Sequence, residues 1–360
     1  MKKNKWISTL VLLPLSKIYG IVVGVRNTMF DWGILKQKEF DVPIVSVGNI
    51  AVGGTGKTPH TEYVVEALRY SFHIGVLSRG YKRKTKGFVL ASKNTSPSDI
   101  GDESYQIYQK YGNDVTVAVC EDRCEGISKL LEIDERINLI ILDDAFQHRY
   151  VKSKVSIVLT EYNRPVFMDK MLPLGRLREP MHALNRADMV VVTKCPDGLK
   201  PIKYTIFKKN LGLMAYQKVF FSKYEYCHLQ PLYPEEVQEI PYLEWLSERD
   251  VVYAVSGIDN PRPFVKYLKG FKSKIKLEIF PDHHNFTRKD IQKIEERFNS
   301  FKAVNKYIIT TEKDAVRIVN NPYFPHHLKS KIFYLPLKVQ FVQQDNMNFE
   351  SHLRKLIAEK

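Results

Sequence analysis

Lys57 and Thr58, directly after Gly53-Gly-Thr-Gly56, together with the pair Asp143-Asp144, are the residues whose types and spacing fit phosphoryl chemistry. Between a strand and a helix, such glycines let backbone N–H groups crowd onto phosphate oxygens. The lysine then reaches the β- and γ-phosphates, and the hydroxyl joins a Mg²⁺ shell. Gly53, Gly54, Thr55, Gly56, Lys57 and Thr58 are therefore the candidate nucleotide cradle. The pattern G-x-x-x-x-G-K-[ST] asks for glycine at position 51, where Ala51 stands, while Gly48, Gly53 and Gly54 supply glycine nearby. A plain flexible loop is the blander reading, and it leaves the Lys-Thr pair unexplained.

The aspartates close the run Ile137-Asn-Leu-Ile-Ile-Leu142, apolar enough for a strand covered on both faces. Carboxylates at the tip of such a strand, after a phosphate loop, hold Mg²⁺ directly or through water. Thr58, Asp143 and Asp144 form the expected metal set, and Lys57 and Asp144 rank among the catalytic groups. His148 and Arg149, a few residues on, either touch the phosphates or cap the turn. Guanine-specific loops read [NT]-K-x-D. Here Thr193-Lys194-Cys195 is followed by Pro196, with Asp197 one place late, so the expected nucleotide is ATP.

Other groups are less specific. The run from His73 to Tyr81 reads as a strand ending in a polar turn at Arg79, where open α/β sheets place ligand contacts. Lys82, Arg83, Lys84 and Lys86 follow as a ligand-side basic turn or a solvated loop. Asp102, in Gly101-Asp-Glu-Ser104, reads from its surroundings as a charge at a helix start. Arg176 and Arg178 sit in a turn-rich stretch as anion contacts or surface arginines. Asp282, His283 and His284 lack the further ligands of a zinc site and suit acid/base or orienting work.

These residues need a frame that gathers strand ends. Apolar runs at 45–49, 74–78, 115–119, 137–142, 155–160 and 188–193 alternate with helical patterns. They predict an α/β fold of P-loop NTPase type, a mostly parallel sheet with helices on both faces. From about Gln217 the texture changes to an aromatic-rich strand and an acidic, proline-containing connector. A second, smaller α/β pattern follows, with a helix at 287–298 capped by Thr287.

The chain has 360 residues, 44% hydrophobic and 26% charged, enough for a full core and two domains. A net charge of +15 favours an anionic partner: nucleic acid, acidic membrane or phosphorylated substrate. The four cysteines form no C-x-x-C pair, suit a reducing cytosol and take no role here. The first 30 residues open with Lys2, Lys3, Lys5 and Trp6 and run apolar to Val25. A membrane span needs about 20 apolar residues, and this stretch carries Pro14, Ser16 and Lys17 inside it. An interfacial or shallowly inserted helix is expected, with a buried amphipathic helix as the alternative.

Gly53-Gly-Thr-Gly-Lys-Thr-Pro59 with Asp143-Asp-Ala-Phe-Gln-His148 resembles the tetraacyldisaccharide 4'-kinases of lipid A biosynthesis. The resemblance extends to Ser78-Arg-Gly-Tyr81, Gly101-Asp-Glu103, Leu177-Arg-Glu-Pro180, Asp282-His283 and Thr311-Glu-Lys-Asp314, nearly the whole chain in the family's order. Departures are Ala145 within the aspartate motif, Lys82 where glycine is frequent and Arg176 where proline is common. The resemblance implies transfer of the ATP γ-phosphate, with Mg²⁺, to the 4'-hydroxyl of a tetraacylated glucosamine disaccharide 1-phosphate. It places the enzyme at the cytoplasmic face of the bacterial inner membrane, against anionic lipids, with no nucleic acid and no obligate protein partner. It raises Asp102 to a catalytic base assisted by His283 across a domain cleft, and makes Arg79, Tyr81, Gln147, His148 and Arg178 substrate contacts. The implied organisation is a membrane-associating helix at 1–30, a P-loop kinase core at 31–216, a smaller α/β domain with its connector at 217–345 and a C-terminal helix at 346–360.

Two rivals stay open on sequence alone. A P-loop ATPase or metal-insertion switch would hydrolyse nucleotide with water as acceptor. A non-enzymatic membrane module would leave Lys57, Thr58 and the aspartates without a task.

Overall fold

Short apolar runs closed by polar turns can bury both faces only as central strands between helices, and they do so here in two sheets. The computed structural model describes residues 5–342 and 346–359, with side chains from Val11 onward. Lys2 and Lys3 lie outside the described residues, as do the side chains of Lys5 and Trp6.

The strands are β1 (Ile44–Asn49), β2 (Ile74–Ser78), β3 (Val89–Leu90), β4 (Val115–Val119), β5 (Leu139–Asp143), β6 (Val155–Glu161), β7 (Met189–Thr193), β8 (Lys218–Tyr226), β9 (Gln230–Pro231), β10 (Val251–Ser256), β11 (Lys274–Ile279), β12 (Lys306–Thr311), β13 (Ile332–Leu335) and β14 (Leu337–Phe341). The helices are α1 (Lys5–Asp31), α2 (Lys57–Leu68), α3 (Pro97–Ile100), α4 (Asp102–Tyr111), α5 (Arg123–Ile133), α6 (Pro201–Leu211), α7 (Arg262–Leu268), α8 (Arg288–Ser300), α9 (Glu312–Ile318) and α10 (Asn346–Ala358).

The larger sheet has nine strands in the order β14-β8-β7-β6-β1-β5-β2-β4-β3. From β8 to β4 every pairing is parallel, and β3 closes the edge antiparallel to β4. Alternation along each strand separates the two covered faces. In β5, Leu139 and Ile141 pack with α2 residues Val64, Val65 and Leu68, while Ile140 and Leu142 pack with Ile127 and Leu130 of α5.

The chain divides into two compact units, 1–224 with 339–360, and 225–338. The boundary expected at 217 therefore falls at Glu225. The aromatic strand that opens there is β8, which pairs with β7 in the large sheet and buries Phe220 and Phe221 in its core. The far boundary moves as well: Val339 and Phe341 join Phe349 and Leu353 of α10 in that same core, where Phe341 stacks on Phe349 with ring centroids 4.3 Å apart. The second unit holds a five-stranded sheet, β11-β10-β12-β13-β9, parallel except for β9. Thr287 caps α8, with its hydroxyl and the Asp290 carboxylate completing a reciprocal box.

Candidate active site

Parallel strands carry their following loops to one edge, and a ligand settles where the chain leaves a central strand in both directions. In the first unit that strand is β1: β5, β2 and β4 lie to one side, β6, β7 and β8 to the other. The loop after β1 is tied down by side chains on both sides. Asn49 Nδ2 donates to Thr55 Oγ1 at 2.6 Å, and Thr193 Oγ1 to the Thr55 carbonyl at 2.8 Å. Lys194 Nζ donates to the Gly54 carbonyl and pairs with Glu161 at 3.3 Å. Gly56, at φ 94°, caps α2, and a Cβ there would collide with Tyr224 Oη.

His60 braces the loop from inside the helix. Its Nδ1 lies 2.7 Å from the Gly56 carbonyl and its Nε2 2.8 Å from Ser222 Oγ. A carbonyl only accepts, so Nδ1 carries the proton and Ser222 donates to Nε2. Burial lowers the ring's pKa to about 4, and it is neutral at pH 7.

The aspartates divide their work. Asp143 is buried, accepts from Thr61 Oγ1 at 2.7 Å, and is pushed up to about 7 by burial and by the Glu103 carboxylate. Asp144, at φ 47°, turns outward, 3.6 Å from Lys57 Nζ and 3.4 Å from Arg178 Nη1. Gln147 secures Arg178. Its Oε1 accepts from the guanidinium at 3.4 Å, and its Nε2 donates to the Asn49 carbonyl at 2.6 Å and to Glu179 at 3.1 Å. Lys57, Asp144, Arg178 and Gln147, read separately from the sequence, are thus one cluster beside the phosphate loop.

Asp102 is the first residue of α4. That helix start is held at the end of β2 by the 2.5 Å contact of Ser104 Oγ with Ser78 Oγ, and by Gly101, which has no room for a Cβ against the Tyr81 carbonyl. The turn carrying Arg79 and Tyr81 lies beside it, and the Tyr81 side chain is exposed. Of the basic run that follows, Arg83 is not solvated: its side chain is 2% exposed and pairs with Glu121 at 2.6 Å. An arginine tucked under a glycine turn reads from sequence like any other cation of the run.

Two residues of this edge, Glu103 and Arg123, had no role on sequence alone. Glu103 adds its charge to Asp143. Arg123 opens α5, 3% exposed, with Nη1 donating to the Cys120 and Glu121 carbonyls at 3.1 Å. Burial works against its charge, and the Asp144 and Asp143 carboxylates support it. His148, lowered to about 4 by burial and by Arg123, stays neutral, and its Nε2 is buried without a partner. Asp122, Cys124 and His148 bring ligand atoms within 4.8 Å of one another, but Arg123, Arg26 and Arg79 all act on that histidine, which makes a poor cation site.

The N-terminal helix joins the same network through its polar face. Asn27 Nδ2 donates to buried Glu179 at 2.8 Å, Arg26 to the Gln147 carbonyl at 3.1 Å, Tyr19 Oη to the Arg178 carbonyl at 3.1 Å, and Ser16 Oγ to the Met171 carbonyl at 2.8 Å. Phe30 is buried, but an apolar row further up the helix turns away: Ile18 is 58% exposed, Ile21 65% and Val22 62%. Among the described residues no helix is long and apolar enough to cross a membrane.

In the second unit, the ends of β10 and β12 gather a buried ion pair. Asp314 accepts from the Gly257 N–H at 2.9 Å and from Thr311 Oγ1 at 2.7 Å, and pairs with Arg317 at 3.1 Å. Arg317 Nη2 lies 3.1 Å from His283 Nδ1, which therefore accepts, leaving the ring hydrogen on Nε2 in the neutral form. His284 serves packing: it stacks on Phe280 and bonds Asp290 at 3.0 Å.

A family model described as tetraacyldisaccharide-1-P 4'-kinase matches residues 8–358. The chain is 46% identical to a tetraacyldisaccharide 4'-kinase of Bacteroides thetaiotaomicron, covering 100% of this chain and 94% of that one. It is 41% identical to one of Porphyromonas gingivalis, covering 99% and 98%. Among solved structures it is similar to a crystal structure of LpxK from Aquifex aeolicus in complex with ATP. The TM-score there is 0.74 at 30% identity, over 96% of this chain and 98% of that one.

Proposed function

The chain belongs to the tetraacyldisaccharide 4'-kinase family, ATP-dependent phosphotransferases of lipid A biosynthesis, and from that premise we propose how its residues divide the work. The donor is ATP and the acceptor is the 4'-hydroxyl of a tetraacylated glucosamine disaccharide 1-phosphate. Residues 53–58 cradle the nucleotide phosphates, with Lys57 and Arg178 neutralising charge on the transferred group. The observation that carries this reading is the meeting of Lys57, Asp144 and Arg178 at the strand edge where buried Asp143 also ends.

Asp102 accepts the proton of the attacking hydroxyl. A sugar hydroxyl is a poor nucleophile, and a positioned base contributes about 10²–10⁴-fold. His283, with Nδ1 3.1 Å from Arg317 and Nε2 3.7 Å from Asp282, is the proposed assisting group. Arg79, Tyr81, Gln147 and His148 contact substrate. Thr58, Asp143 and Asp144 offer only hard oxygen donors, and a buried carboxyl short of countercharge suits a divalent cation of the Mg²⁺ kind. Mg²⁺ held there supplies countercharge to phosphoryl oxygens.

The outward apolar row on α1 supports peripheral or shallow association with the cytoplasmic face of the inner membrane, where the acyl chains of the acceptor reside. The basic excess suits anionic lipid. A water-acceptor ATPase is not favoured by the relatives. Incubation with labelled ATP and the disaccharide lipid in detergent is expected to label the lipid. Free hydrolysis of ATP with no labelled lipid would overturn the assignment and restore the ATPase reading.

A further inference from the structure

Residues 176–178 lie beside the first residues of the phosphate loop, joined to them by a single antiparallel bridge at Leu177. The Val52 N–H donates to the Arg176 carbonyl at 2.8 Å, the Arg178 N–H donates to the Ile50 carbonyl at 2.7 Å, and Ala51 bridges Leu177 antiparallel. Leu177, 4% exposed, enters the core with Ile50, Ala51 and Phe146, while the Arg176 and Arg178 side chains stay partly exposed beside the loop. Arg178 spends that position on Asp144 and Gln147.

Arg176 turns instead toward Gly53. Its Nη1 stands 3.8 Å from where a Cβ of Gly53 would be. Asp169 holds it from behind, with Oδ1 accepting from the Arg176 N–H at 3.1 Å and Oδ2 from Nε at 2.9 Å. Gly175 makes that grip tight, since a Cβ there would overlap the Lys170 carbonyl and Asp169 Oδ1. A guanidinium carries five N–H donors in a fixed fork, and Asp169 uses the Nε edge. The Nη1 nitrogen is thereby held beside Gly53 of the phosphate loop.

We propose that Arg176 is a second phosphate-contacting arginine of the site, donating to the terminal phosphate of the nucleotide over Gly53 while Arg178 and Lys57 act from the Asp144 side. This rests on the kinase reading above. Asp169 is its positioning residue, and the anchoring on both backbone and carboxylate removes the need to order a long side chain when nucleotide binds.

The test compares a nonhydrolysable ATP analogue with ADP, each with Mg²⁺ and no lipid, on the full chain and on Arg176→Gln and Arg176→Lys. Loss of charge-assisted bonds to the terminal phosphate should weaken the analogue roughly tenfold or more for Arg176→Gln, leave ADP near its original affinity, and leave Arg176→Lys between the two. A shift equal for both nucleotides marks a structural effect and overturns the proposal. So does an unchanged pair of affinities with a raised KM for the lipid alone, which would assign Arg176 to the acceptor. Unaltered protein is assayed for lipid phosphorylation in parallel. If it transfers nothing, the kinase reading fails by itself; if it transfers normally while the analogue-to-ADP ratio is unmoved in Arg176→Gln, only the role of Arg176 fails.

Discussion

Gly56→Ala tests whether the phosphate loop depends on backbone that only glycine tolerates. Two costs add. At φ 94° an L-residue pays about 1–2 kcal/mol for the left-handed conformation. The new methyl would also overlap Tyr224 Oη and stand 3.2 Å from Cζ, and inserting a carbon into a filled space costs about 1–3 kcal/mol. Together they disfavour the phosphate-binding geometry by about 2–5 kcal/mol, which weakens nucleotide at least roughly 30-fold. Tyr224→Phe in the same chain removes only Oη. It should return most of the overlap cost and none of the backbone cost, so the double variant binds better than Gly56→Ala but worse than the unaltered protein. Calorimetric ATP binding on all four proteins gives the cycle directly. Unaltered affinity in Gly56→Ala, or no recovery in the double variant, would refute the reasoning.

Asp102→Asn, isosteric but unable to take a proton, should lower kcat by roughly 10²-fold or more with ATP affinity retained; near-normal turnover would return Asp102 to a helix-start charge. Glu179→Gln weakens the partner of half-buried Arg186 and loosens the Asn27 and Gln147 contacts. Breaking a buried pair costs about 3–5 kcal/mol, so a fall in Tm of several degrees is expected in a thermal melt, and an unshifted melt would count against the network. Replacing Ile18, Ile21 and Val22 together by Asn should sharply reduce sedimentation with anionic vesicles and leave the melt unchanged, because these side chains are exposed. Unaltered sedimentation would move the membrane surface elsewhere.

The two sheets were legible because alternation and apolar runs are local. β5 and β7 are apolar up to their last residue and β1 is buried along its whole length, and each ends in the polar turn that marks the ligand edge. The phosphate loop was legible for the same reason, since a strand, a glycine turn and a Lys-Thr helix start fix their geometry within a dozen residues. Arg83 was not, because a cation's burial depends on whether Glu121, far along the chain, comes to meet it. The domain boundary at Glu225 was not either: β8 has the texture of a new domain, and only its parallel pairing with β7 assigns it to the first sheet.

The sequence by itself determined the kind of chemistry, since Lys57, Thr58 and the aspartates carry their roles in side-chain type and spacing. Tertiary structure alone decided which of them meet. Asn27 reaches Glu179, Arg178 reaches Asp144 and Arg176 reaches Gly53 across long stretches of chain. Such meetings are set by strand order and by the pairing of 176–178 along the loop. Backbone closure brings those groups together at a sheet edge, and no local period in the sequence records which strands will be neighbours.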